Sequence, residues 1–598
     1  EKTVDTELSG NIIDLCPVGA LTSKPFRFAA RTWELARRKS VSPHDGLGAN
    51  LIVQTKHDKV LRVLPLENED INECWLSDKD RYSYEGLNSA ERLQKPMVKQ
   101  GGQWKEVEWN QALDYVAHAL RDVAKEHGAA AIGALVSPHA TLEEMALAGK
   151  FMRGLGSDNI DFRLRQSDFS LDGKRQGTPW LGMKIAEINK LDRVLLIGSF
   201  VRKDQPLIAQ RLRQAAKRGT KISVIHAADD DLLVKLAAKA IVAPAQLPQV
   251  LAQVVKAAAD LKNVACDLAV TASAEAKAIA ESLLSGRNAG ILLGNFAQQH
   301  PQAGALHALA QQLALVLGAK LGYLGEAANS VGGYVAKALP GSGGLNAAAM
   351  LADSRKAYVL VNVEPELDCA DGRAALAAMN QADSVIVLSP FKSAAALEYA
   401  DAILPVSPFT ETSGSFVSTE GRVQSFQAVA RPLGDTRPAW KVLRVLGNLL
   451  KLDGFDYESS EDVRNEVLGA AIEFVGGLDN GVTVSASLPA AASGNGLQRV
   501  ADVPIYFADA LVRRADSLQK AKDAALPAAR MNAATLASAG VAAGDNVRVR
   551  AGEGQVYEVQ LVARLDAGVP DGCARIAAAH ATTAKLGAMF GQITVERA

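Results

Sequence analysis

The feature that most constrains the fold is a repeated alternation of short apolar runs with Ala/Leu-rich helical stretches. Each run is continuous rather than alternating, which is typical of strands that are buried on both faces. Strands of this kind separated by helices indicate parallel sheets covered by helices. The sequence therefore predicts an α/β fold, with strands in AAIGALVSP (130–138), DRVLLIGSF (192–200), TKISVIHA (220–227), AGILLGN (289–295), AYVLVNVEPE (357–366), DSVIVLSP (383–390) and DAILPV (401–406).

A different pattern precedes this α/β region. Two strand-type runs, NLIVQT at 50–55 and VLRVLPL at 60–66, flank the polar residues KHDK and predict a β-hairpin. The stretch 109–128 then places apolar residues on one helical face, with Asn110 as its predicted cap and Gly128 as its predicted end.

The last part of the chain differs again. Beyond about residue 500, short alternating strands with Gly-Asp turns predict a small β-barrel. The Ser/Ala/Gly stretch 485–496 before it predicts a linker. The apolar stretch 303–325 carries His307 and two glutamines, so it predicts a buried helix rather than a membrane span.

Charge and cysteine usage exclude several function classes. The 65 Lys+Arg and 66 Asp+Glu residues give a formal charge of −1, so no bulk attraction to nucleic acid or an anionic membrane is expected. Five cysteines without regular spacing argue against a disulfide framework and indicate a reducing compartment. A length of 598 residues predicts about three to five domains.

Common catalytic and nucleotide-binding motifs do not occur in the sequence. There is no G-x-S-x-G, H-E-x-x-H, C-x2-C, G-x-G-x-x-G or phosphate-binding G-x4-G-K-[ST] pattern. Asp229, Asp230 and Asp231 follow a predicted strand and could bind ribose hydroxyls as acids in dinucleotide folds do, or form a solvated loop, which is the commoner role. An isolated histidine such as His307 on an apolar face is usually a satisfied core or surface residue.

The stretch SGNIIDLCPVGALT at 9–22 contains a Cys-Pro pair, Cys16-Pro17. Such a pair typically ends the iron-sulfur run C-x2-C-x2-C-x3-C-P, whose fourth cysteine serves a different cluster from the first three. No other cysteine lies near Cys16 in the sequence. Two interpretations remain open: Cys16 is an inert core thiol, or it is a cluster ligand whose companions precede residue 1.

Four segments together carry a resemblance to a known family. They are similar to the large peripheral-arm iron-sulfur subunit, of the G type, of bacterial proton-pumping NADH:quinone oxidoreductase, the counterpart of the largest peripheral-arm subunit of mitochondrial complex I. That family belongs to the molybdopterin oxidoreductase superfamily. The resemblance runs through essentially the whole chain and implies a multidomain α/β layout with a C-terminal barrel. The segments are SGNIIDLCPVGALTSKPFRFAARTWEL (9–35), INECWLSDKDRYSYEGLN (71–88), NIDFRLRQSDF (159–169) and GSFVSTEGRVQSF (414–426).

The resemblance implies a metal role for Cys16. In the family, a region carrying one [2Fe-2S] and two [4Fe-4S] clusters precedes what is here residue 1, and Cys16 matches the fourth ligand of one [4Fe-4S] cluster. One thiol cannot hold a four-iron cluster, because each iron needs its own ligand. We therefore expect the remaining ligands upstream of this chain, no cluster in this chain alone, and no catalytic residue in it.

A second family cluster is not expected. Superfamily enzymes and some bacterial members of this family carry a further [4Fe-4S] cluster on a pattern resembling C-x2-C-x3-C followed by C-x-K-G-R. Here Ser42, Asp45, Ala49 and Ser77 stand at those four positions. Alanine has no donor atom and hydroxyls are poor ligands for iron-sulfur centres. Cys74 has no companion thiol and is expected to be structural, and no residue clearly supplies a molybdenum ligand, so no molybdopterin is expected either.

These inferences predict a division of the chain into five parts. The parts are a remnant of the iron-sulfur region (1–38), a degenerate 4Fe-4S domain of the molybdenum/tungsten type without a cluster (39–95), a molybdopterin-oxidoreductase-like α/β body of two interleaved subdomains (96–484), a linker (485–500) and a dinucleotide-binding-like β-barrel (501–598).

The expected function is that of a peripheral-arm subunit of the respiratory enzyme. The intact subunit would relay electrons from NADH and FMN through iron-sulfur clusters toward quinone, and this part would be a non-catalytic scaffold. The expected partners are other peripheral-arm subunits, especially the FMN/NADH-binding one, at the cytoplasmic face of the bacterial inner membrane, without direct membrane insertion. The alternatives are an active molybdopterin-dependent oxidoreductase of the formate dehydrogenase or nitrate reductase type, and a stand-alone scaffold.

Overall fold

The computed structural model describes residues 4–489, 496–552 and 557–598. Its N-terminal part contains an antiparallel sheet in the order β1-β2-β3. The last two strands form the predicted hairpin, and the two residues between them, His57 and Asp58, have φ of 50° and 60°, the left-handed backbone that a tight hairpin turn requires. The strands are β1 (Ala36–Val41), β2 (Asn50–Lys56) and β3 (Lys59–Pro65).

A parallel sheet in the order β10-β9-β8-β11-β12 forms one half of the α/β body. Alternate residues of its central strands face opposite cores, because Leu195 packs with one hydrophobic cluster and Leu196 with another. Burial on both faces explains the continuous apolar runs in the sequence. The strands are β8 (Arg193–Ile197), β9 (Lys221–His226), β10 (Ala238–Ile241), β11 (Ala289–Leu293) and β12 (Lys320–Tyr323).

The second sheet of the body has the order β5-β4-β15-β14-β13-β6-β7. Its strands are parallel except at the β4/β5 edge, which is antiparallel. Together the two sheets confirm the α/β prediction and all seven predicted strands. The strands are β4 (Met97–Gln100), β5 (Gln103–Glu106), β6 (Ile132–Val136), β7 (Ile160–Asp161), β13 (Ala357–Val361), β14 (Ser384–Ser389) and β15 (Ala402–Pro405), followed by a separate pair, β16 (Gly414–Val417) and β17 (Val423–Phe426).

The C-terminal part is a closed barrel in the order β18-β22-β19-β21-β20-β23, which confirms the predicted barrel. Its first strand lies inside the segment 485–500, for which the sequence predicts a linker, and residues 490–495 of that segment lie outside the described residues. The five-part domain division stays a prediction. The strands are β18 (Leu497–Val500), β19 (Ala529–Met531), β20 (Asn546–Ala551), β21 (Tyr557–Leu565), β22 (Cys573–Arg575) and β23 (Gln592–Arg597).

Helices cover the sheets and join their strands. They are α1 (Asn11–Leu15), α2 (Asp78–Tyr82), α3 (Trp109–His127), α4 (Leu142–Gly154), α5 (Val201–Asp204), α6 (Pro206–Lys217), α7 (Leu247–Lys262), α8 (Ala274–Leu284), α9 (Asn295–Gln299), α10 (Ala303–Leu317), α11 (Gly332–Val335), α12 (Ala347–Ala352), α13 (Pro365–Asp368), α14 (Gly372–Gln381), α15 (Ala394–Tyr399), α16 (Ala439–Leu449), α17 (Ser460–Leu468), α18 (Asp516–Gln519), α19 (Ala533–Ser538) and α20 (Ala581–Ala584).

Two predicted helices differ in detail from the observed ones. Helix α3 ends at the predicted Gly128, but its N-cap is Glu108 rather than Asn110, and no side chain caps it. The stretch 303–325 is a helix only to Leu317, because Gly318 at φ 67° ends α10 and β12 follows. Among the described residues, no helix is long and apolar enough to cross a membrane.

Candidate functional site

Cys16 ends helix α1 and begins an exposed turn. Its own N–H donates to the Ile12 carbonyl as the last bond of the helix. The backbone N–H groups of Leu21, Val18, Ala20 and Gly19 point toward its sulfur and lower the pKa of the thiol. A lowered pKa favours the thiolate, which is the form that binds metal. The half-buried Cys16 is therefore suited to be a metal ligand and unlike the inert core thiol of the alternative interpretation.

Helix α1 is fastened to helix α2 just before Cys16. The Asp78 carboxylate accepts from the Gly10 N–H at 2.7 Å and from the Ser9 hydroxyl at 2.5 Å. Asn11 exchanges two hydrogen bonds with the Leu76 backbone. The chain thus holds Cys16 in place from its N-terminal side.

The residues after Cys16 are exposed and apolar to an unusual degree. Val18, Phe28 and Trp33 are 82%, 98% and 78% exposed. Exposed apolar side chains that form a contiguous patch are typical of interaction sites. We call residues 15–34 the Cys16 segment.

The Cys16 segment lacks companion ligands within the described chain. Among the described residues, no three His, Cys, Asp or Glu side chains are grouped so as to hold a metal. Cys74 is exposed and Cys369 is buried, and both are free thiols. Any cluster on Cys16 needs ligands from another stretch of polypeptide.

The positions that match the family's further cluster form a buried polar network instead. The hydroxyls of Ser42 and Ser77 both donate to the Asp80 carboxylate, the latter at 2.6 Å. Asp45 pairs with Lys79 at 3.1 Å, and both side chains are almost fully buried. These carboxylates, hydroxyls and the ammonium satisfy one another, so the space is filled by the chain's own groups.

His44 ties this region to the C-terminal part. Its Nδ1 lies 2.7 Å from Asp509 and its Nε2 lies 2.7 Å from the Ser83 hydroxyl. Burial lowers the pKa of His44, but the Asp509 carboxylate raises it more, and the net direction is upward. The same contact holds the pKa of Asp509 far below its usual range in spite of burial. The pair is a buried salt bridge between residues far apart in sequence.

The cleft between the two sheets is closed by similar ion pairs. Arg165 pairs with Glu326, which follows β12, and lies 3.4 Å from Asp368. Arg513 pairs with Glu364, which follows β13, at 2.8 Å. Arg514 also pairs with Glu364. We call these residues the cleft ion-pair cluster. Sequence reasoning missed it, although Glu326 and Glu364 directly follow strands and are thereby placed at this edge.

The turns at the switch point of the β8–β12 sheet touch each other. In such sheets ligands bind in a crevice where the strand order reverses, here between β8 and β11. A Cβ placed on Gly294 would overlap with Cβ of Ser199, and one on Gly198 would lie 2.6 Å from the Ala297 nitrogen. The two turns pack against each other, and a pocket of about 480 Å³ including its mouth lies beside them, lined by Phe200 after β8 and by Asn295 and Phe296 after β11.

The remaining predicted site candidates have structural roles. Asp230 pairs with Arg575 of the barrel at 2.6 Å, whereas Asp229 and Asp231 are not buried. His307 contacts the Tyr323 hydroxyl and the Asn480 carbonyl, and burial lowers its pKa to about 3. His307 is thus a satisfied core histidine, as predicted.

The chain is an α/β protein with two mainly parallel sheets, each covered by helices, and a closed C-terminal barrel. Many enzymes that bind cofactors have this kind of architecture. The family model described as molybdopterin oxidoreductase matches residues 92–449, and the chain belongs to this family. Residues 35–85 match the model described as NADH-ubiquinone oxidoreductase NDSU1/NuoG-like, 4Fe-4S domain. Residues 1–22 match NADH-quinone oxidoreductase subunit 3, ferredoxin-like domain.

Curated relatives confirm the resemblance to the large peripheral-arm subunit. The G-type subunit of NADH-quinone oxidoreductase from Rickettsia felis is 40% identical over 37% of this chain and 32% of that protein. The NADH-ubiquinone oxidoreductase 75 kDa subunit of Reclinomonas americana is 26% identical over 79% of this chain and 65% of that protein. The matched part of the chain thus spans about a third of the Rickettsia protein's length and about two thirds of the other's.

A solved structure supports the fold alone. Acetylene hydratase from Pelobacter acetylenicus superposes with a TM-score of 0.66 and 13% identity, covering 94% of this chain and all of that one. At this identity the likeness shows that the fold is shared and carries nothing about activity.

The family implies a molybdopterin, but most cationic side chains at the strand ends are already paired with carboxylates. Arg175, which lines a pocket there, donates to the Tyr323 hydroxyl instead. A pyranopterin dinucleotide needs cationic or N–H groups free to bind its phosphates. Arg165, Arg513 and Arg514, which reach this edge, are all paired with carboxylates. The pocket beside the Gly198 and Gly294 turns is lined by Lys79, Arg165 and Lys203, and each of these cations is paired with a carboxylate.

Proposed function

We propose that this chain is part of a peripheral-arm subunit of NADH:quinone oxidoreductase and contributes one ligand, Cys16, to a [4Fe-4S] cluster. The other three ligands are supplied by polypeptide outside residues 1–598. The observation that carries the proposal is the Cys16 turn, where four backbone N–H groups favour the thiolate within the segment that matches the ferredoxin-like domain.

When bound, the cluster supplies one-electron transfer. The chain's own residues position and shield it. The Asp78 contacts fix the end of α1, and the exposed apolar side chains of the Cys16 segment form a surface on which the cluster-bearing polypeptide can exclude water. Exclusion of water and N–H bonds to sulfur are the means by which proteins tune such centres.

The rest of the chain serves as a scaffold. The α/β body is joined to the residues after 500 by the pairs Arg513–Glu364 and Arg575–Asp230, and Arg165 pairs with Glu326 within the body. We infer that no molybdopterin binds there and that the intact subunit also carries a [2Fe-2S] cluster, as its family does. Partners are other subunits of the same enzyme, especially the FMN/NADH-binding one, at the cytoplasmic face of the bacterial inner membrane.

Paramagnetic resonance of the complete enzyme tests the cluster ligand. We expect Cys16→Ala to abolish the signal of one [4Fe-4S] cluster and to lower NADH:quinone turnover, because one iron loses its ligand. The matched control is Cys74→Ala, which removes a second free thiol, an exposed one, and should leave all signals intact. Unchanged spectra in Cys16→Ala would refute the assignment.

Metal analysis tests the scaffold role separately. Purified chain should contain no molybdenum, because the cleft residues are self-paired. Stoichiometric molybdenum would instead support the alternative, an active molybdopterin-dependent oxidoreductase.

A further inference from the structure

A cavity lies at the carboxyl ends of β6 and β13. From β6 the chain goes on to β7 on one side, and from β13 it goes on to β14 on the other side, so the strand order reverses between them. Ligands of open α/β sheets bind at such reversals. The cavity and the solvent space at its mouth together occupy about 710 Å³.

The walls of this cavity are mainly rings. Phe391, Phe409 and Phe416 line it, together with the prolines Pro43, Pro390 and Pro408. Aromatic and proline rings favour contact with the face or edge of a planar apolar ring. The walls therefore suit a flat aromatic molecule.

His139 presents an unused hydrogen-bond acceptor at the cavity. Its Nδ1 lies 2.8 Å from the Pro43 carbonyl, which can only accept, so Nδ1 carries the proton. Burial lowers the pKa of His139, so the ring is neutral and Nε2 holds a lone pair. Nε2 is buried without a partner among the described residues. A buried acceptor without a donor is unfavourable unless a ligand or water supplies one.

Ser407 supplies a second unused polar atom. Its residue follows β15 and lines the same cavity. The side chain is buried, and its hydroxyl has no partner among the described residues. A hydroxyl both donates and accepts, so it suits a ring nitrogen or a substituent oxygen of a ligand.

The charges around the cavity exclude a phosphate-bearing ligand. The lining includes the carboxylates Glu144, Asp368 and Asp509, and the described lining contains no Lys or Arg. His44 also lines the cavity, but its ring is already paired with Asp509. A phosphate would therefore have no cationic side chain of the lining free to pair with it. This separates the cavity from the dinucleotide site that the fold family implies.

We propose that this cavity binds a small, uncharged, planar heteroaromatic molecule that donates an N–H or O–H to Nε2 of His139. The Ser407 hydroxyl bonds a second polar atom of the ligand, and the phenylalanine and proline rings enclose its faces. Neither the electron-transfer role proposed above nor the family's cofactor accounts for such a ligand at this place.

A pair of probes tests the proposal on the unaltered full chain. Indole and N-methylindole have nearly the same shape and apolar area, but only indole has an N–H donor. We expect saturable binding of indole by calorimetry or ligand-observed NMR, and binding of N-methylindole weaker by roughly tenfold, since one hydrogen bond to a buried group is lost. Equal affinities, or no saturable indole binding, would overturn the proposal. Displacement of indole by guanosine diphosphate would show a dinucleotide-type site instead.

Variants locate the binding. His139→Phe keeps an aromatic ring but removes the acceptor, so indole should lose its advantage over N-methylindole. Ser407→Ala should weaken the binding of a probe with a second polar atom, such as benzimidazole, more than that of indole. The matched control is His118→Phe on the exposed face of α3, which should change neither affinity. If the advantage of indole persists in His139→Phe, the proposed contact is wrong. If His139→Phe fails to fold, the probe pair on the unaltered chain and Ser407→Ala still decide.

Discussion

The cleft ion-pair cluster and the Cys16 segment differ in how their energetically unfavourable groups are accommodated. The cleft pairs its buried charges within the chain, and the Cys16 segment leaves apolar side chains exposed. In the cleft, each buried cation has a carboxylate partner from the same chain, as Arg513 has Glu364. In the Cys16 segment, apolar side chains such as Phe28 and Trp33 stay in solvent, and a thiol with lowered pKa has no companion ligand among the described residues. The cleft cations are thus paired within this chain, whereas the Cys16 segment needs a partner for the function proposed above.

The largest expected effect comes from removing one partner of a buried ion pair. Asp509→Ala leaves His44 buried at the place where it had its carboxylate. Removing one partner of a buried salt bridge destabilises by about 3–5 kcal/mol. Here His44 loses its partner, and the N–H groups of Leu511 and Val512 lose their acceptor. We expect the free energy of unfolding to fall by this amount. Urea denaturation at pH 6 measures it on the first unfolding transition of the chain.

The control for this variant is Lys522→Ala, which breaks the exposed pair of Lys522 with Asp5. Exposed pairs contribute little, so the change should stay below about 0.5 kcal/mol. If both variants were equally mild, the buried pair would not hold the C-terminal part in place.

The pH dependence of the free energy of unfolding tests a second buried group, the Glu144 carboxyl. Burial raises the pKa of Glu144 to about 7, above its unfolded value near 4.5. The protonated carboxyl is therefore favoured by the fold, and its contribution is fully present below pH 4.5 and lost as the pH rises to 7. The shift corresponds to stability on the order of 3 kcal/mol. Glu144→Gln keeps an acceptor for the Thr141 N–H, so it should be more stable than the unaltered chain at about pH 8 and similar to it near pH 4.5.

The contrast variant for this series is Glu275→Gln at the exposed start of α8. Its free energy of unfolding should change with pH in the same way as that of the unaltered chain. A Glu144→Gln curve with the same slope as the unaltered chain would mean that this carboxyl does not titrate as its burial requires.

The sequence predicts the two sheets better than the contacts between them. Runs such as 192–200 and 383–390 identify buried strands because their residues are apolar without alternation, and the structure places both in parallel sheets. The barrel follows from equally local signals. Helix α3 shows the limit of such signals, since a cap depends on the backbone conformation at Glu108 rather than on the polar Asn110.

The cleft could not be predicted because its pairs join distant parts of the chain. Arg513 and Glu364 are 149 positions apart, and neither has a local pattern that identifies the other. The Cys16 turn is predicted as a ligand through its Cys-Pro pair and the family resemblance. The N–H groups that favour its thiolate depend on the turn conformation of residues 18–21, which only the structure shows.

The smallest effect on stability is expected in the Cys16 segment, whose apolar side chains are exposed. Phe28 is almost fully exposed in this chain, so Phe28→Ser removes no buried area and should change the free energy of unfolding by less than about 0.5 kcal/mol. If the segment is covered by a partner, the same change removes an aromatic anchor from that interface, where such residues carry much of the binding energy. Phe28→Ser should therefore lower the share of chain that co-purifies with the other peripheral-arm subunits, while Leu565→Ser, at an exposed barrel residue, leaves it unchanged. A loss of stability in the isolated chain with normal assembly would show that Phe28 packs within the chain itself, and the Cys16 segment would then be as self-sufficient as the cleft.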